Sequence, residues 1–216
     1  MKYPLIVFDW DGTLIDSAAA IAICIQEAAR ELGLPVPTRE AASHVIGLGL
    51  ADSLRHAVPT LAPDGYQQFV ECYRKHFMGC EDSMQLFPGV PELLGDLRQR
   101  GHRLAIATGK SRRGLDRALA TTGLGPYFHA TRCADEGHAK PHPGMLLGLM
   151  EQLGVAGNRT LMVGDTTHDM EMARAAGVPR LGVAYGAHAK ESLLSYEPVA
   201  CVDDFESLRQ WLMRHA

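Results

Sequence analysis

Apolar residues follow two rhythms along this chain. Short unbroken runs end abruptly at a polar residue: Leu5-Ile6-Val7-Phe8 stops at Asp9, Leu104-Ala105-Ile106-Ala107 at Thr108, and Leu161-Met162-Val163 at Gly164-Asp165. Runs this short and this uniformly apolar predict strands buried on both faces. They place strands over 4–8, 103–107 and 160–163, with a weaker one over 129–133 and another over 180–184. The second rhythm is helical. Ile21, Ile25, Ala28 and Leu32 recur every three or four residues after Asp16-Ser17, and Gly33 closes that segment. Tyr66, Phe69, Tyr73 and Phe77 share one face of a helix over about 64–79 and read as packing residues. Further helices are expected over 90–100, 111–122, 143–153, 168–176 and 204–214. A short helical stretch follows Thr38, and Val45–Leu50 reads as a loop feeding a helix.

Strands alternating with helices imply a mostly parallel sheet covered on both faces, with right-handed connections. The first strand is separated from the others by a segment that is helical throughout. The expected architecture is α/β: a doubly wound parallel sheet formed by 1–15 and 88–216, with an inserted helical cap over 16–87. The cap would hang on linkers near Asp16-Ser17 and Leu86-Phe87.

Composition narrows the function classes. The formal net charge is -4 and the pI about 6.2, so there is no bulk attraction for nucleic acid. No apolar run approaches the ~18 residues of a membrane span. The five cysteines are odd in number and show no C-x-x-C pair, which argues against a disulfide framework or a zinc site. A reducing, cytoplasmic setting is expected. No sequence feature bears on oligomeric state.

Polar clusters follow the strands. They are Asp9-Trp10-Asp11-Gly12-Thr13, Thr108-Gly109-Lys110, Lys140-Pro141-His142-Pro143 and Gly164-Asp165-Thr166-Thr167-His168-Asp169. Ligands of open α/β sheets bind outside the carboxyl ends of the strands, so these clusters can converge. Asp9, Asp11 and Asp165 would crowd carboxylates together, and a hard divalent cation offsets that repulsion. Oxygen donors without a His or Cys cluster select Mg2+ over zinc. Lys140, the Thr108 hydroxyl and the Gly109 amide add what a phosphoryl group requires. A carboxylate nucleophile then forms an aspartyl-phosphate.

Bland readings exist for each piece. Thr108 could cap a helix, Lys140 could be a surface lysine, and Asp165 and Asp169 could be dipole-favoured acids at a helix N-terminus. His142 and His168 are expected as loop histidines rather than ligands, because the inferred metal prefers oxygen. Arg55, His56, Arg112 and Arg113 read as solvated helix residues. Lys110-Ser111 echoes a phosphate-loop ending, but Leu104 stands where that motif needs its first glycine.

In order and spacing, Asp9-Trp10-Asp11-Gly12-Thr13-Leu14, Thr108, Lys140 and Gly164-Asp165…Asp169 resemble the four motifs of the haloacid dehalogenase superfamily. The helical insertion, Gly47-Leu48-Gly49 and Lys140-Pro141-His142-Pro143 resemble its phosphoglycolate phosphatase-like branch. The resemblance implies that Asp9 is nucleophile and metal ligand. It makes Asp11 the acid–base residue, with its backbone carbonyl on the metal. Thr108 and Gly109 would hold phosphate, Lys140 would neutralise Asp9 and phosphate, Asp165 would bind metal, and Asp169 would fix the metal's water shell. The implied activity is Mg2+-dependent hydrolysis of a small phosphorylated metabolite. A phosphomutase shares these residues. A dehalogenase would lack Asp11 and the metal, and a non-catalytic interaction module would need no complete motif set.

Overall fold

Alternation along the first strand sets the layers. In β1 (Leu5–Phe8), Leu5 and Val7 pack to one side of the sheet, while Ile6 and Phe8 pack to the other. The same division continues in β2 (Arg103–Thr108), with Ala105 and Ala107 opposite Leu104 and Ile106. It recurs in β4 (Thr160–Gly164), with Met162 opposite Leu161 and Val163. With β3 (Ala130–Cys133), β5 (Arg180–Val183) and β6 (Ala200–Val202), these strands form one six-stranded sheet in the order β3-β2-β1-β4-β5-β6. Every pairing is parallel. The computed structural model describes residues 1–81 and 84–216.

One face of the sheet is covered by α5 (Val90–Gln99), α6 (Arg112–Thr122) and α10 (Phe205–His215). These bring Leu93, Leu94, Leu97, Leu115, Leu208 and Leu212. The other face is covered by α7 (Gly144–Leu153) and α8 (Thr167–Ala175), through Met145, Leu146, Leu149, Met172 and Ala173. Each fully buried Leu, Ile or Phe contributes roughly 1.5–3 kcal/mol, which chain entropy largely offsets. The fold is therefore the doubly wound α/β arrangement that the strand–helix alternation predicts.

Between β1 and α5 lie α1 (Ala18–Glu31), α2 (Arg39–His44), α3 (Leu50–Ala57) and α4 (Tyr66–Cys80). They gather around their own apolar cluster, which includes Ile21, Ile25, Val45, Ile46, Leu54 and Phe69. Tyr66, Tyr73 and Phe77 pack against that cluster as their spacing predicts. The two chain crossings into this insertion run side by side. The Asp16 N–H donates to the Gln85 carbonyl at 2.9 Å, and the Phe87 N–H to the Leu14 carbonyl at 3.1 Å. Within the 16–87 segment, residues 82–83 lie outside the described residues.

Two elements depart from the sequence reading. A helix, α9 (Lys190–Leu194), and strand β6 follow β5 where no element was expected. Both are too short to show a period, and β6 is only half-buried. No helix among the described residues is long and apolar enough to cross a membrane.

Candidate active site

The chain runs outward from β1 through β2 to β3, then returns to the other flank of β1 with β4. That reversal opens a crevice at the carboxyl ends of β1 and β4. Asp9 follows β1 directly and is anchored there by its N–H, which donates to the Val163 carbonyl at 2.9 Å. Asp165 follows β4, Thr108 is the last residue of β2, and Lys140 lies in the loop between β3 and α7. All four are buried.

Lys140 is the hub. Its Nζ lies 2.6 Å from Asp9 Oδ1 and 2.7 Å from Asp169 Oδ1. The other Asp169 oxygen accepts from the Thr166 hydroxyl at 2.6 Å and the Thr166 N–H at 3.1 Å, closing a capping box at the start of α8. Asp169 is thus both a helix N-terminal acid and a partner of Lys140. Asp165 Oδ1 accepts from the Thr13 hydroxyl at 2.8 Å, and Oδ2 from the Ala187 N–H at 2.7 Å.

Oxygens of Asp9, Asp165 and Asp169 all lie within 4.8 Å of one another. Burial pushes the Asp9 carboxyl well up; Lys140 opposes this, and the charges of Asp169 and Asp165 add to it. Asp165 is pushed up to about 7, by burial first and the Asp169 charge second. Burial alone would lower the Lys140 ammonium, but the Asp169 and Asp9 carboxylates outweigh it and hold it up. Three buried carboxylates against one lysine leave negative charge to offset. Asp9 Oδ2 is buried with no hydrogen-bond partner among the described residues. An all-oxygen donor set with an open lone pair fits a hard divalent cation, which Asp9 and Asp165 could hold.

Asp11 makes different contacts. Its Oδ1 accepts from the Ser17 hydroxyl at 2.8 Å, and its Oδ2 lies 3.1 Å from Lys110 Nζ. Lys110 in turn lies over the Phe77 ring, 4.8 Å from its centroid. The Tyr73 phenol is held well up by burial and then by the nearby Asp11 charge. Helix α4 thereby reaches the acid–base candidate. The Thr108 hydroxyl accepts from the Lys110 N–H at 3.2 Å, which leaves its proton free to donate outward.

Two glycines show how tightly the loops meet. Gly12 has φ +78°, and a Cβ there would run into the Asp165 carboxylate. A Cβ on Gly109 would run into the backbone carbonyls of Gly47 and Leu48. The Gly47–Leu50 loop therefore sits directly on the residue expected to cradle phosphate.

The histidines stay outside the carboxylate cluster. His168 is in the first turn of α8 rather than in a loop, because Thr166 starts the helix ahead of it. Its Nε2 donates to the His44 carbonyl at 2.8 Å, and His188 Nε2 reaches the same oxygen at 3.1 Å. Burial and the neighbouring imidazoles push His188 down to about 4. His142 Nδ1 accepts from the Gly144 N–H at 3.0 Å. Arg112 is not simply solvated, since it pairs with Glu136 at 2.8 Å. Reading the sequence missed Lys110 as a partner of Asp11, and also Ser17, Thr13 and Thr166. The available signal was that Lys110 shares one loop with Thr108.

Comparison with known proteins extends this picture over nearly the whole chain. The model of the haloacid dehalogenase-like hydrolases matches residues 6–183. A relative from Dickeya dadantii, "Probable phosphatase IndB", is 36% identical over 211 residues, covering 95% of this chain and 91% of that protein. The phosphoglycolate phosphatase of Agrobacterium fabrum is 33% identical over 214 residues, covering 95% and 90%. The crystal structure of a "predicted phosphoglycolate phosphatase" from Haemophilus somnus superposes with a TM-score of 0.86 at 27% identity, covering 98% of this chain and 99% of that one. The family match runs from β1 to the end of β5, through each strand end that bears a residue of the carboxylate–lysine cluster, and the chain belongs to the haloacid dehalogenase-like hydrolases.

Proposed function

We propose that this protein is a Mg2+-dependent phosphatase that hydrolyses a small phosphate monoester through an aspartyl-phosphate on Asp9. The observation that carries the reading is the Lys140 bridge between Asp9 and Asp169, beside Asp165, with Asp9 Oδ2 left without a donor among the described residues. Asp9 attacks phosphorus as the bond to the leaving oxygen breaks, and the Asp11 carboxyl gives that oxygen its proton. Water then attacks the acyl phosphate, gives its proton to the Asp11 carboxylate, and the bond between phosphorus and Asp9 breaks. Thr108 and Gly109 orient the phosphoryl oxygens, and Lys140 balances their charge. Bound Mg2+ would supply charge neutralisation at Asp9, Asp165 and the Asp11 carbonyl. Asp169 holds Lys140 and would fix the water shell of the bound metal.

Residues 16–87 act as a cap. Its support is the separate apolar cluster and the paired crossings at 14–16 and 85–87. The names of the relatives favour phosphoglycolate or a close analogue as substrate. Cysteine usage favours a cytoplasmic setting. The test is a phosphate-release screen over phosphorylated metabolites with Mg2+ present and after chelation. Chelator-sensitive phosphate release is expected; full activity after exhaustive chelation would remove the metal from the mechanism.

A further inference from the structure

Of the two lysines that contact the proposed catalytic aspartates, Lys140 is fully committed, buried between Asp9 and Asp169. Lys110 is not. Its side chain keeps 13% of its surface exposed, at the seam between the sheet and α4. Its backbone is pinned on both sides: the N–H donates to the Thr108 hydroxyl at 3.2 Å, and the carbonyl accepts from the Ala134 N–H at 3.0 Å. A fixed backbone with a side chain that still meets solvent is the form of a recognition group.

The partner of that ammonium poses a problem for catalysis. Ser17 donates to one Asp11 oxygen and Lys110 lies against the other, so both are occupied. A leaving oxygen must come within hydrogen-bond reach of one of them to take its proton. Ser17 is fully buried whereas Lys110 still meets solvent, so Lys110 is the partner that gives way, and a competing anion at the seam would draw it off.

Taking the phosphatase reading as given, we infer that Lys110 binds an anionic group on the leaving alcohol, such as a carboxylate, and releases Asp11 as it does so. The residue is then specificity-determining and couples recognition to the acid step. A phosphate ester of a short hydroxy acid fits this pair of cations: the phosphate at Lys140 and Thr108, the carboxylate at Lys110. Thr108 and Lys110 are two residues apart at the end of β2, so one short stretch of chain contributes to both anion sites.

Ethyl phosphate keeps the phosphate and carries an uncharged methyl group where phosphoglycolate has its carboxylate. Titration calorimetry in the Asp9→Asn background with Mg2+ reads binding without turnover. A charge-assisted contact predicts that phosphoglycolate binds at least about tenfold tighter than ethyl phosphate. Lys110→Met should abolish that preference, and Lys110→Arg should keep most of it. In the active enzyme, Lys110→Met should raise KM for phosphoglycolate by more than it lowers kcat. Equal affinities, no binding of phosphoglycolate, or a preference that survives Lys110→Met would overturn the inference. Failure of the phosphatase reading shows separately, as absence of phosphate release from every ester by the unmodified enzyme, while the titration still reports on Lys110.

Discussion

Replacing Lys140 with Met tests the electrostatics of the cluster without carving a cavity, because Met fills most of the space of the lysine stem. Lys140 has no exposed side-chain surface and bridges two carboxylates within 2.7 Å. Removing one partner of a buried ion pair typically costs about 3–5 kcal/mol. The Asp9 carboxyl is already pushed well up and can take a proton in compensation, so the lower figure applies. For a chain of this size, about 3 kcal/mol lowers the melting temperature by roughly 6–12 °C. Mg2+ brings positive charge to the same carboxylates, so it should raise the melting temperature of the variant more than that of the parent. Scanning calorimetry at neutral pH, with and without Mg2+, measures both shifts. The variant should also lose on the order of 10²-fold or more in kcat, as expected for a pre-organised charge stabiliser. Melting within about 2 °C of the parent, or a Mg2+ response no larger than the parent's, would refute this account.

Further expectations follow from the same site. Asp165 is raised to about 7 in the fold against about 3.9 unfolded, so the folded state binds the extra proton. Its contribution to metal-free stability therefore falls as pH rises from about 4 to 7, and Mg2+, which needs the ionised form, should stabilise progressively more across that window. Melting curves at several pH values check this, and a Mg2+ shift independent of pH would contradict it. Gly109→Ala should lose at least about tenfold in kcat/KM, since its Cβ would push the Gly47–Leu48 backbone away from the site. Ser17→Ala removes one of the two contacts that fix Asp11, so it should reduce turnover of alkyl phosphates more than that of aryl phosphates, whose leaving groups need less protonation.

The parts legible in the sequence were those with a strong local signal. Leu5–Phe8 and Thr160–Val163 could only be buried strands, and the polar residue ending each run marked the mouth of the crevice. Asp9, Thr108 and Asp165 were therefore locatable before any coordinates, whereas Lys140, in the loop after β3, was singled out only through the set of four motifs. Residues whose role depends on distant partners were less legible. Ser17 reads as a helix start and does precede α1, yet its hydroxyl turns back to Asp11 instead of capping. That choice is made by the fold of the 9–17 turn, not by spacing. Lys110 was weighed only against a phosphate loop that failed, whereas its real partner comes from β1's loop. The helix α9 and strand β6 were invisible because five and three residues are too few for a period to emerge.

The central claim is that Asp9 carries the phosphoryl group and Asp11 moves the protons. Asp11→Asn keeps the shape and the backbone carbonyl but cannot shuttle a proton. With an activated aryl phosphate and Mg2+, this variant should phosphorylate itself and stall, so acid-quenched mass spectrometry should find one phosphate on the peptide containing Asp9. The signal should vanish when Asp9→Asn is added. Phosphate on any other peptide, or turnover of an alkyl phosphate at the parent's rate by Asp11→Asn, would contradict the account.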